Sequence, residues 1–458
     1  MAETGKNRLK TEARAGLSRF VRDYGMLGVL ILLCLLFSVL TLKEQQPTGA
    51  NAATVIENSF ASFPPAQTRI LIAVQSNSED SVFGAHLQAA LVKRGFGSIV
   101  VVSGDPASIR GQSEALAAAT KIDVVVTTRA YAPVLQAIIA QIPQLAEAAL
   151  LTPPSYRWPT FLLADNIRNV ANQIAVIAII AIGMTMVIIT AGIDLSVGSL
   201  IALSAVVAAW LIARFGGTSA STGVMLLSGA TGILLCGASG AFSGLVITRF
   251  RIPPFIATLA IMQVAAGVAY IISQGLPIYQ IPDSFILLGR GVEPLLKIPY
   301  AVILMIALYV IAHILMTRTT IGRYIYAVGG NMEAARLAGI RVNGVLMFVY
   351  TLCGMLAGLG GVLMASQLKS GAPTYGITYE LYVIAAVVVG GTSLSGGEGR
   401  IFGTLIGAFI IAVIQNGMNL TNVESYTQKV VLGLVILVAV LLDRLKQHGL
   451  TRRKKPAG

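Results

Sequence analysis

Between Asn166 and Asp283 the sole acid in the chain is Asp194, set in Thr190-Ala191-Gly192-Ile193-Asp194-Leu195-Ser196-Val197-Gly198-Ser199. An ionisable group inside a membrane is costly and functional by default. Two uses fit it. It can line a polar path or meet a basic partner within the bilayer, or it can cap the following helix at the cytoplasmic face with help from Ser196. A second interruption of the same kind, Gly390-Gly391-Thr392-Ser393-Leu394-Ser395-Gly396-Gly397-Glu398-Gly399-Arg400, follows an apolar run too short to cross a bilayer alone. Glycine at this density breaks a helix. Irregular backbone at membrane depth needs protein or water around it, so paired breaks in two halves of a chain point to a translocation path.

A third stretch, from Gly322 and Arg323 to Ile340, carries different chemistry. Asn331 can cap a short helix, Glu333 complements its positive end, and Gly339 ends it. A short capped helix between spans has no packing need of its own and suits a groove on a partner; the bland alternative is a solvated connector. Leu394-Ser395-Gly396-Gly397-Glu398 imitates the signature loop of nucleotide-binding ATPases, but apolar runs flank it and no G-x-x-x-x-G-K-[ST] loop exists in the chain. The chain is expected to hydrolyse no ATP itself. Cys34, Cys236 and Cys353 lie in separate apolar runs and read as packing residues, and the three histidines are scattered, so neither a metal site nor a cofactor is indicated.

The elements that position these residues must be membrane helices. Of 458 residues 55% are hydrophobic and 12% charged, with mean hydropathy +0.78; a soluble chain carries about 25% charge. Disorder, coiled coil and a soluble globular fold are excluded. Apolar spans are expected at 24–42, 171–191, 197–213, 222–246, 254–274, 298–316, 345–366, 380–391, 401–418 and 427–442, about ten crossings. The net charge of +13 gathers at the ends, in Lys6, Arg8, Lys10, Arg14, Arg19 and Arg22 and in Arg444, Lys446, Arg452, Arg453, Lys454 and Lys455. Flanking apolar spans, such clusters anchor both termini in the cytoplasm rather than bind nucleic acid. An even number of crossings then follows. It puts Arg249 and Arg251 inside, with Arg318, Arg323, Arg336 and Arg341. The run at 24–42 is longer than a signal h-region and reads as an uncleaved anchor.

Residues 43–157 change character. Acids and bases balance, and three β-branched runs (69–74, 98–102, 122–126) alternate with helical stretches, the second helix opened by Asp105-Pro106. This is expected to be a small parallel α/β domain outside the membrane, bracketed by Pro64-Pro65 and Pro153-Pro154. Its order resembles the start of a periplasmic sugar-binding-protein lobe, although three strands make only half a cleft, and a generic module without ligand is the favoured reading. The expected organisation is a basic cytoplasmic tail (1–23), an anchor (24–42), an inserted extracytoplasmic domain (43–157), a transmembrane domain (158–443) and a second basic tail (444–458).

The stretches Gly183-Met184-Thr185 through Ser199, Gly322-Arg323-Tyr324 through Ile340, and Gly390-Gly391-Thr392-Ser393 through Arg400 together resemble the ribose/xylose/galactoside-type ABC transporter permease over about residues 157–445. The resemblance implies an all-α polytopic membrane protein of the bacterial inner membrane. It implies a second permease copy (homodimer or heterodimer), a cytoplasmic ABC ATPase and a periplasmic sugar-binding protein as partners in the lipid bilayer. It would make the coupling element to the ATPase from Gly322, Arg323, Asn331, Glu333, Ala334, Arg336 and Gly339. The family usually has only a short connection where this chain carries 43–157. Asp194, Ser196, Thr392 and Ser393, with Gly390 and Gly391 at the break, are the expected lining of the path, since hydroxyls and a carboxylate can hydrogen-bond a passing polyol without holding it tightly. The alternatives are an ion-coupled secondary transporter, which needs ionisable groups deep in several spans, and a membrane receptor with an external sensing domain.

Overall fold

Lipid offers backbone amides no partner, so an apolar run must close its hydrogen bonds within itself, as a helix does. A computed structural model describes residues 25–452, with side chains to Leu441. The basic tail at 1–23 and the side chains of the one at 444–458 lie outside the described residues. The described residues open with α1 (Gly25–Leu40), and the chain divides into two compact units, Leu42–Thr160 and the flanking remainder.

In chain order the Leu42–Thr160 unit contains β1 (Leu42–Gln45), α2 (Gly49–Glu57), β2 (Arg69–Gln75), α3 (Ser78–Lys93), β3 (Ser98–Gly104), α4 (Pro106–Ala119), β4 (Val124–Val126), α5 (Ala132–Ile139), β5 (Ala149–Leu151) and β6 (Tyr156–Pro159). β1 and β6 pair antiparallel, Leu42 opposite Pro159 and Gln45 opposite Tyr156. The other four strands form a parallel sheet in the order β3-β2-β4-β5. Its two faces bury separate cores, one around Ile72, Phe83 and Leu87, the other around Leu71, Ile109 and Leu135, so the β4 valines are buried on both sides. Asp105 caps α4 by accepting from the Ser108 amide at 2.8 Å, and Pro106 supplies the first turn. The sheet has four strands where three were expected, because Ala149-Leu150-Leu151 has no β-branched residue to announce a strand. Pro64-Pro65 lies inside the unit rather than at its border, since α2 precedes it and buries Ala52, Ala53 and Ile56 in the same core. A cavity of 380 Å³ opens where the strands begin, at Arg69, Ser98 and Ile122, opposite the carboxyl ends at which open α/β sheets hold ligands.

The remainder continues with α6 (Ala164–Ile189), α7 (Val197–Phe215), α8 (Thr222–Phe250), α9 (Pro254–Ser273), the single turn α10 (Leu287–Arg290), α11 (Tyr300–Arg318), α12 (Thr320–Gly330), α13 (Met332–Leu337), α14 (Val342–Leu368), α15 (Tyr379–Val389), α16 (Ile401–Leu420) and α17 (Ser425–Arg452). Among the described residues seven helices are long and apolar enough to cross a membrane, and α1, α15 and the Ser425–Leu441 part of α17 are shorter apolar stretches. The fold is that of an all-α polytopic membrane protein. α6 begins seven residues before its apolar run, with Asp165 and Arg168 paired at 2.7 Å on its polar lead.

Every residue of α6 from Ile174 to Ile189 is buried, as befits a helix that is hydrophobic all round. α14 packs against α6, α7 and α8. Where lipid removes the hydrophobic drive, small residues let helices approach closely. A Cβ on Gly240 would fall 2.2 Å from the Tyr350 carbonyl oxygen, and one on Gly354 2.3 Å from that of Cys236. Polar side chains tie the same bundle: Thr185 and Thr404 share a hydrogen bond at 2.7 Å, and the Tyr309 hydroxyl donates to the Ala178 carbonyl at 2.9 Å. α9 and α11 leave most of their apolar surface uncovered, the character of lipid-facing helices.

Candidate functional site

The chain leaves α6 at Ile189 and enters α7 at Val197, with Ala191 at φ 61° in the turn between them. Asp194 is fully buried there. Its Oδ1 accepts from the Ser196 amide at 2.9 Å and the Ser196 hydroxyl at 2.6 Å, an Asx turn that sets up the first turn of α7. Ser196 occupies the cap position without a side-chain capping bond. Oδ2 has no hydrogen-bond partner, and among the described residues no basic side chain pairs with the carboxylate. Its neighbours are the Cys353 thiol and the Tyr350 hydroxyl of α14, the latter also unpartnered. Those residues stand eight and eleven positions past Val342, about 12 and 17 Å along a helix of about 40 Å. Asp194 therefore sits well inside the bundle.

The second interruption folds against the first. Gly391 turns at φ +91°, Ser393 closes the loop by donating its amide to the Glu398 carbonyl at 3.0 Å, and the Gly397 amide donates to the Ile189 carbonyl at 2.8 Å. Thr392 and Ser393 are buried, and the Thr392 hydroxyl is unpartnered. Gly390 packs on Gly403, where a Cβ would meet its carbonyl oxygen at 2.4 Å. The breaks after α6 and after α15 thus share one knot of backbone.

α12 is the third strand of that knot. Its Tyr326 hydroxyl donates to the Gly399 carbonyl at 2.8 Å. A Cβ on Gly329 would stand 1.7 Å from the Ile189 carbonyl oxygen and 2.7 Å from the Gly397 nitrogen, so the helix end is wedged against both loops. Gly322 fits the tight joint between α11 and α12, its amide donating to Thr319 Oγ1 at 3.3 Å. Directly after the wedge, Asn331 caps α13 by accepting from the Ala334 amide at 2.9 Å, and Glu333 pairs with Arg336 at 3.0 Å. Gly339 at φ +83° ends α13 in a Schellman motif, with the Ile340 amide on Ala335 and the Gly339 amide on Arg336. Only Ala335 of this helix is buried, and Leu337 is 90% exposed.

Asp194, Ser196, Thr392 and Ser393 are thus buried in the two interruptions, with Gly390 half-buried and Gly391 exposed at the second, while Arg323, Asn331, Glu333, Ala334, Arg336 and Gly339 form a separate, exposed feature. Three participants were missed. Tyr326 and Gly329 sit in the stretch read as a partner-binding element, but no role was given to either, and only a tertiary contact reveals it. Glu380 opens α15 with its carboxylate where a Gly198 Cβ would stand, 2.2 Å from that position, so it faces the first turns of both α7 and α15, where a negative charge is favoured. Its signal was available: an acid at the start of an apolar run.

The family described as branched-chain amino acid transport system, permease component, matches residues 166–440, more than half of the chain and none of the Leu42–Thr160 unit. The ribose import permease protein RbsC of Escherichia coli K12 is 45% identical over 293 residues, covering 63% of this chain and 88% of that protein. The D-allose transport system permease protein AlsC of the same strain is 38% identical over 285 residues (62% and 85%), and the L-arabinose ABC transporter permease protein AraH of Azospirillum brasilense is 38% identical over 290 (63% and 83%). No solved structure matches. A chain that buries two broken-helix loops under a short exposed helix, across the stretch this family matches, belongs to the family as a multi-pass membrane permease component.

Proposed function

We propose that this chain is the membrane-spanning permease subunit of an ATP-binding-cassette importer for a monosaccharide of the ribose/xylose kind. The observation that carries the reading is Gly329, wedged between the two interruptions and two residues ahead of Asn331, the cap of helix α13. A displacement of α13 would be passed through Asn331 and Gly330 to Gly329, which touches the Ile189 and Gly397 backbones of both loops. An exposed leucine at the end of a rigid capped helix fits a groove on a cytoplasmic ATPase, whose nucleotide-driven closure would supply the displacement. Alternating access then requires only that nucleotide favour one of two arrangements of the knot. The reading includes a second permease copy, a periplasmic sugar-binding protein as donor, the bacterial inner membrane as location, both termini in the cytoplasm and the Leu42–Thr160 unit outside. The sugar class is supported by the relatives, whose names carry ribose, allose and arabinose.

The test is uptake of radiolabelled D-ribose into proteoliposomes holding this chain with its co-purified ATPase and binding protein. Uptake should require ATP and stop with vanadate. Accumulation by the chain alone, driven by an ion gradient without nucleotide, would establish the secondary-transporter reading instead.

A further inference from the structure

At the end of the bundle remote from α13, where α6 begins and α14 and α16 finish, a cavity of 340 Å³ opens. Six side-chain amides line it: Gln173 from α6, Gln367 from α14, Gln415, Asn416 and Asn419 from α16, and Gln428 from α17, with Tyr379 of α15 beside them and no charged residue. Amides inside a membrane bundle are ordinarily explained as glue between helices. Several are glue here. Asn416 and Asn166 exchange hydrogen bonds at 2.9 and 3.0 Å, Gln367 Nε2 donates to the Asn172 carbonyl at 2.9 Å, and Gln428 Nε2 donates to Asn419 Oδ1 and the Val423 carbonyl, each at 2.8 Å. Gln173 and Gln415 are different. Neither side chain makes a hydrogen bond among the described residues; Gln173 is exposed at the mouth of the cavity and Gln415 is half-buried. Helix association does not account for them.

The open valences define a ligand. A primary amide offers two donors and an acceptor, so Gln173 and Gln415 present both kinds, and the bonds named above leave the Gln367 and Gln428 carbonyl oxygens free. A molecule that fits must donate and accept at several points and carry no charge, because nothing in the wall would neutralise one. A zwitterionic amino acid would bury its ammonium and carboxylate unpaired, at high cost. An apolar solute would leave the amides unsatisfied. The volume is at the low end of ligand pockets, enough for one sugar ring rather than an oligosaccharide. The Tyr379 ring, edge-to-face with Tyr382 at 6.0 Å, offers the apolar surface that the C–H face of such a ring would use.

We propose that this amide-lined cavity is a subsite that holds a single neutral monosaccharide at the outer end of the permease before it moves toward the two interruptions. The proposal rests on the importer reading above and is tested apart from it. The full chain in lipid nanodiscs is titrated with D-ribose, and separately with L-leucine, by saturation-transfer NMR. Wild type should give a saturable D-ribose signal. Gln173→Leu and Gln415→Leu should each weaken it about fivefold, the size of one lost hydrogen bond, and the double variant should abolish it. Gln136→Leu, an exposed amide of α5, should leave it unchanged. If Gln415→Leu does not fold, Gln415→Met keeps the side-chain length and carries the test. No ribose signal in wild type, a signal that survives the double variant, or a leucine signal erased by it overturns the subsite. ATP-driven ribose uptake that is equally fast in the double variant removes the subsite and leaves the importer standing; absent uptake by wild type removes the importer reading.

Discussion

At Gly329 the structure leaves no room for even a methyl group, and at Gly330, the next residue, it leaves open space. That contrast separates a positional requirement from a general dislike of change. Gly329→Ala should displace the Ile189–Gly397 backbone contact and destabilise by about 1–3 kcal/mol as overpacking, while Gly330→Ala should be tolerated; thermal unfolding of the purified pair reads the difference. Asp194 gives a second comparison. Asp194→Ala strips the Ser196 amide and hydroxyl of their buried acceptor and should cost about 1–3 kcal/mol. Asp194→Asn keeps an acceptor oxygen and should unfold close to wild type, so a transport defect in that variant would be a property of the carboxylate. The residue was conspicuous in the sequence as the lone acid of a long apolar stretch. Its depth was not legible, because that depends on Tyr350 and Cys353, more than 150 positions away in the chain. Gln173 and Gln415 were invisible for the same reason: one amide in an apolar helix is unremarkable until four helices bring several together.

Among the elements, α13 was the most readable. Asn331 and Gly339 mark its ends with ordinary capping chemistry, and the helix falls between them. The exposed Leu337 was not foreseen, since an apolar residue at that position reads equally well as buried. Leu337→Asp should leave the unfolding temperature of the isolated permease unchanged, because the side chain touches little of its own chain, yet reduce ATPase co-purification by at least tenfold. Gly339→Val tests the other end: a β-branched residue in the left-handed region should cost about 1–2 kcal/mol and fray α13 without touching the knot, which hydrogen exchange at Ile340 would detect. α12 escaped notice as a helix because its glycines, Gly322, Gly329 and Gly330, look like loop signals. Two of them are helix residues at contacts too close for any other side chain.

For the molecule as a whole, composition pointed to the division: balanced charge and β-branched runs set residues 43–157 apart from the apolar regions, and Leu42–Thr160 is a separate compact unit. The strand count came out one short, and the antiparallel β1–β6 pair was not anticipated, since Leu42–Gln45 and Tyr156–Pro159 are short, polar in part, and more than 100 residues apart. That pair makes a direct prediction. Replacing residues 46–155 with Asn-Gly joins Gln45 to Tyr156, already opposite each other, as a two-residue hairpin. The remaining helices should fold and insert as before, measured by membrane yield and thermal unfolding, and ATP-driven uptake should persist in some measure. The same pairing has a wider meaning. With Leu42 paired to Pro159, the polypeptide enters and leaves this unit through a single doorway. Such a doorway is a natural socket, able to accept a fluorescent or affinity module in place of the resident fold.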